Sequence, residues 1–216
     1  MYQQIKDPGS ALTHFIGAVM AVAGMPMLLM HASGGCADIL RLAGLSVFLL
    51  SMVALYSASS AYHTFNISER SNRILKKLDH TMIYVLIAGS YTPICLSILP
   101  DQSGRPLLAV IWAIAVCGGI FTMFFVYCPK WLSSILYIAM GWACLAVMPD
   151  LVSVLSHTEF ALLLGGGIMY TAGGIIYALK FRRLNSIHRH FGSHEIFHLF
   201  VLAGRICHFI FMWNAV

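Results

Sequence analysis

The chain has 216 residues, of which 59% are hydrophobic and only 10% charged. So little charge cannot cover the surface of a soluble domain of this length, and lipid is the solvent that the composition implies. The 13 Lys and Arg against 8 Asp and Glu give a net charge of +5, but these residues lie in short stretches between apolar runs and form no nucleic-acid patch.

A helix that crosses a bilayer needs roughly 17–25 mostly apolar residues. Seven segments qualify, at 11–30, 39–62, 80–99, 107–127, 131–148, 160–179 and 195–215, so one all-α integral membrane domain over residues 1–216 is expected, a seven-helix bundle. Ala21-Val22-Ala23 resembles a signal-peptidase site, yet the apolar run continues to Met30, and the first segment reads as an uncleaved span. The breaks carry turn signals: Ser33-Gly34-Gly35, Pro100-Asp101-Gln102-Ser103-Gly104, Pro129-Lys130 and Pro149-Asp150. The short fourth-to-fifth connection predicts antiparallel neighbours there. Pro93 predicts a kink in the third helix, and the glycines at 165–167 and 173–174 predict close helix contacts in the sixth.

Two segments read as basic loops, 66–78 with Arg70, Arg73, Lys76 and Lys77, and 180–193 with Lys180, Arg182, Arg183 and Arg189. With seven spans these fall on the same side as Lys6 and Lys130, whereas Arg41 and Arg105 face the other way. The positive-inside rule then gives a cytoplasmic N-terminus and an outside C-terminus, opposite to G-protein-coupled receptors. The six cysteines, Cys36, Cys95, Cys117, Cys128, Cys144 and Cys207, are scattered singly without a CxxC pair, as small apolar fillers would be.

Polar residues at membrane depth are costly and need a partner or a task. Here they gather at three helix ends: His63 closes the second span, Asp79 and His80 open the third, and His194, Glu195 and His198 open the seventh. The topology puts all three ends on the cytoplasmic side. His194 and His198, one helical turn apart, share a face and can hold one ion. His63 completes a three-histidine set with a fourth position open to water, the pattern of catalytic zinc. Asp79 is the candidate to orient that water or to brace a ligand histidine. Ser59, one turn inward from His63, either bonds the metal water or a substrate carbonyl or bonds back to its own helix.

His194-Glu195-Ile196-Phe197-His198 also matches the HExxH pattern, but five residues match often by chance, and Glu195 ranks below Asp79 as the water's partner. His31, His157, His188 and His190 read as interfacial, as does His80, whose side chain should point about 100° from that of Asp79. His14 is left open between the two readings. Arg205 is the one charge well inside a span, two turns past His198 on the same face, and no acid stands at matching depth.

At these residues the chain resembles the bacterial hemolysin III family, within the progestin and adipoQ receptor superfamily. The matching strings are Leu12-Thr13-His14-Phe15-Ile16-Gly17, Ser59-Ser60-Ala61-Tyr62-His63, Leu78-Asp79-His80, Ile87-Ala88-Gly89-Ser90-Tyr91-Thr92-Pro93, and His194-Glu195-Ile196-Phe197-His198 followed by Cys207-His208-Phe209. The resemblance implies a seven-helix bundle of the bacterial inner membrane with Zn2+ near the inner leaflet, held by His63, His194 and His198 with Asp79 reached through water. It does not require a glutamate at position 195, and it leads one to expect a small residue where Arg205 stands. Three functions compete: zinc-dependent hydrolysis of a membrane lipid amide or ester, similar to the ceramidase-like activity attributed to superfamily members; a sensor or homeostasis role with structural zinc; and a cytolytic pore. The pore has least support, because the polar groups cluster at one end rather than along several helices.

Overall fold

The computed structural model describes residues 5–34, 38–179 and 192–216. The basic residues and histidines expected in a loop at 180–191, and Cys36, lie outside these. Every regular element among the described residues is helical: α1 (Pro8–Ala32), α2 (Ile39–Thr64), α3 (Glu69–Ser97), α4 (Asp101–Phe125), α5 (Lys130–Gly141), a 3-10 stretch (Trp142–Val147), α6 (Met148–Val154), α7 (His157–Leu179) and α8 (Ser193–Ala215). Among the described residues, six segments are long and apolar enough to cross a membrane: α1, α2, α4, the run Lys130–Val154, α7 and α8. Their outward faces carry exposed Leu12, Phe15, Val19, Val116, Ile120 and Phe124, as a lipid-facing surface does.

α3 departs from the sequence reading. It starts at Glu69 rather than near His80, so most of the expected basic loop is helix. Ser68 caps it by accepting from the Ser71 amide at 3.1 Å. The charges then ride outside the bundle, with the Lys76 ammonium 4.2 Å from the centre of the Tyr127 ring. α3, although 29 residues long, is not among the six apolar segments, since its first turns are charged and polar side chains such as Ser90 and Thr92 interrupt the rest. The helix continues through Pro93, where Thr92 Oγ1 bonds back to the Ala88 carbonyl at 2.8 Å.

The fifth apolar run also differs. It was expected as one helix ending before Pro149-Asp150. Instead α-helical pairing stops at Gly141 and resumes at Met148, carrying helix on to Val154. The cause sits on α3. Tyr91 Oη donates to the Gly141 carbonyl at 2.6 Å and accepts from the Cys144 amide at 2.9 Å, so one phenol occupies the opened ladder. Pro149, without an N–H, suits the first turn of α6. The next helix starts on a reciprocal cap between Ser156 and Glu159, at 2.7 and 3.3 Å.

α1 packs on α2 and α8, α2 on α3, α3 on α4, α7 on α8 and α5 on α7. α4 and α5 touch only lightly, contrary to the inference from their short connection. Tyr84 of α3 stands between them, filling the space beside Gly118 and meeting Tyr137 edge-on at 4.7 Å. The closest approaches fall at glycine. A Cβ at Gly89 would run into Ser51 of α2, and one at Gly166 into His208 of α8. Of the other glycines expected at contacts, Gly173 and Gly174 pack tightly, whereas Gly165 faces open space. The helices surround a cavity of about 180 Å³, lined mostly by apolar side chains of α2, α3, α5, α7 and α8.

Candidate metal centre

The start of α1, the end of α2 and the start of α8 meet at one end of this cavity. The Asp7 amide donates to the His63 carbonyl at 2.9 Å, fixing the entry of α1 against the exit of α2. Ser10 Oγ donates to Glu195 Oε1 at 3.0 Å, which joins α1 to α8. Three segments far apart in sequence thereby deliver His63, His194 and His198 to one place.

One ring nitrogen from each of these histidines lies within 4.8 Å of the others. Nε2 of His63 and Nε2 of His194 are 3.2 Å apart. Tetrahedral ligation with metal–nitrogen bonds of about 2.0–2.1 Å puts nitrogens about 3.3 Å apart, so this pair already has coordination spacing and the third nitrogen needs to close by about 1.5 Å at most. Asp7 Oδ2 lies 2.9 Å from His63 Nδ1. Nδ1–H donating to that carboxylate leaves the Nε2 lone pair turned toward His194, the carboxylate–histidine arrangement that orients a ligand. The His63 imidazole in turn holds the Asp7 carboxyl below the usual carboxylate range. His63 and His198 are each only 2% exposed. His194 is half-buried, and its Nδ1 has no hydrogen-bond partner. Buried imidazole nitrogens converging without an acceptor between them fit a divalent ion that favours nitrogen ligands.

The remaining candidates divide clearly. Asp79 and Ser59 are buried and line the same cavity as His194 and His198. Asp79 Oδ2 is 3.2 Å from His80 Nδ1, so His80 is a neighbour of the carboxylate and not the purely interfacial residue expected. Glu195 is occupied elsewhere: besides Ser10, it accepts from the Gly192 amide at 2.8 Å and so caps α8. His31, read as interfacial, is exposed at the end of α1 and also ties α1 to α8. It stacks on Trp213 at 4.1 Å and its Nε2 is 3.1 Å from the Trp213 carbonyl.

A model of the family described as Haemolysin-III related matches residues 2–209. The chain belongs to the haemolysin-III family. Among relatives of this haemolysin-III protein, Hemolysin-3 of Bacillus cereus is 37% identical over 206 residues, 94% of this chain and 89% of that one. A Hemolysin-3 homolog of Bacillus subtilis (strain 168) is 35% identical over 206 residues, covering 94% and 91%. Six apolar helical segments together with this membership make it a multi-pass membrane protein.

Two residues at the haemolysin-III centre were missed or left open by the sequence. Asp7 has no role in the sequence reading; its place beside His63 comes from the backbone pairing of 7 with 63, and no local pattern signals it. His14 stacks on His198 with ring centroids 3.7 Å apart, and neither of its buried nitrogens has a partner.

Proposed function

We propose that this protein is a zinc-dependent hydrolase of a membrane lipid amide or ester, embedded in the bacterial inner membrane as a seven-span single domain with its N-terminus cytoplasmic. The third span in this reading is α3, which brings the six apolar segments to seven and whose apolar part begins after Asp79 and His80. The observation that carries the function is a three-histidine cluster of which His194 and His198 line an apolar cavity that also holds a buried carboxylate and a buried hydroxyl.

His63, His194 and His198 are the zinc ligands in this reading. A zinc ion there would supply a Lewis acid for a carbonyl oxygen and a lowered pKa for water. Asp79 takes the proton from the attacking water and returns it to the leaving amine or alcohol. Ser59 Oγ, buried beside the Asp79 carboxylate, donates to the substrate carbonyl. The apolar walls take an acyl chain, and the basic entry of α3 suits lipid headgroups at the same membrane face.

The test is metal content by mass spectrometry together with lipid amide hydrolysis in detergent-purified protein. One zinc per chain is expected in wild type and is lost in His63→Ala, His194→Ala and His198→Ala. Asp79→Asn should keep zinc and lose hydrolysis by about 10²–10⁴-fold. Full hydrolysis after complete metal removal would sink the reading.

A second reading, a membrane homeostasis or sensor protein with structural zinc, is favoured by one observation. The histidines bridge α2 and α8 while Asp7 adds α1, so an ion would tie three helices. Loss of fold on His194→Ala supports it over the hydrolase. Cytolysis, which the relatives' name suggests, would require conductance from purified protein in planar bilayers.

A further inference from the structure

Arg205 is only 3% exposed and lies in the middle of α8, two turns beyond His198, or about 10 Å along the helix. It is the sole Lys or Arg among the described residues lining the cavity. Its Nη1 donates to Ser90 Oγ at 2.9 Å. Ser90 gives its own proton to the Leu86 carbonyl at 2.6 Å, so its oxygen is left as an acceptor and the guanidinium is held in one orientation. The rings of Phe48 and Tyr170 flank it at 5.1 and 5.8 Å. Its Nε is buried without a well-aligned hydrogen bond, and the Tyr56 hydroxyl also lies beside the guanidinium.

All these neighbours are neutral, and among the described residues no carboxylate lies within 4 Å of Arg205. Asp79, the cavity's acid, stands 11 residues before Ser90 on α3, about 16 Å away along that helix. A guanidinium stays protonated in proteins, so this cation is built into an apolar interior with no carboxylate beside it among the described residues.

We propose that Arg205 forms a second polar subsite of the cavity, which binds the carboxylate of a single-chain amphiphile. One fixed positive charge matches a monoanion, and a planar guanidinium with free N–H groups matches a carboxylate in two-point contact. A phosphate monoester would bring up to about two negative charges at neutral pH and leave one uncompensated. The stretch toward the histidines, bordered by Leu86, Ile87 and Val201, accepts the alkyl chain. This subsite is independent of the metal and of the hydrolase reading.

The probes are [1-13C]dodecanoate and dodecanol, titrated into the full chain in nanodiscs of zwitterionic lipid. Wild type is expected to bind dodecanoate at least tenfold more tightly than dodecanol. Arg205→Gln should bind the two alike, Arg205→Lys should retain part of the preference, and His194→Ala should keep all of it. A solid-state NMR contact between the probe carboxyl and the guanidinium nitrogens in wild type gives the same answer without a variant. Equal binding of both probes by wild type, absence of that contact, or a preference intact in Arg205→Gln would overturn the proposal. So would a preference lost only in His194→Ala, which would put the carboxylate at the histidines and leave the metal reading standing.

Discussion

Asp7→Asn is the sharpest test of the metal centre, because Asp7 touches no ion in this arrangement and acts only through His63. The substitution keeps the size of the side chain but removes the charge that receives the His63 Nδ1 proton at 2.9 Å. Partners of this kind are worth about 10–100-fold in metal affinity, or about 1.4–2.7 kcal/mol. The Asp7 side chain is 42% exposed, and screening by water puts the expected loss at the lower end, about tenfold. Competition against a chromophoric zinc chelator in detergent, at one pH and ionic strength, measures it directly. Lys6→Ala is the control, since Lys6 carries the neighbouring charge and stacks over Tyr62 without reaching the histidines. Unchanged affinity in Asp7→Asn, or an equal loss in Lys6→Ala, would refute the claim that this carboxylate orients His63.

Other expectations concern packing and the division of roles. Gly89→Ala should destabilise by about 1–3 kcal/mol by overpacking against Ser51, whereas Gly165→Ala, open on its Cβ side, should be neutral or slightly stabilising; thermal unfolding in detergent compares them. Tyr91→Phe leaves the Gly141 carbonyl and the Cys144 amide without their partner, at about 1–3 kcal/mol for each group left unsatisfied, and hydrogen exchange at Cys144 should accelerate. Glu195→Gln should bind zinc within about twofold of wild type, since that side chain caps α8; a loss as large as that of His194→Ala would restore Glu195 to the site.

The legible parts of the molecule were those encoded over short distances. Apolar runs of spanning length announce most of the helices, and the four-residue interval between His194 and His198 places two imidazoles on one face before any tertiary structure is known. Where the reading went astray, the deciding group lay elsewhere in the chain. The basic stretch before Asp79 looked like a loop because charge normally marks one, yet the cap at Ser68 lets it continue as helix. The break at Gly141 depends on a phenol 50 residues earlier. Asp7 acquires its place from a residue 56 positions away, and His80 turns toward Asp79 through a side-chain rotation that helical phase alone does not specify.

The separation of His63 from His194, 131 residues, also has a meaning in time. At about 5–20 residues per second, the ribosome needs roughly 7–26 seconds to make the stretch between them. A translation product that ends before α8 would carry His63 and its Asp7 partner but neither of the other two histidines of the proposed site. Metal uptake would therefore come only after α8 has been inserted beside α1, so the ion would act as a timer on biogenesis: a chain stalled or cut in its second half would stay metal-free.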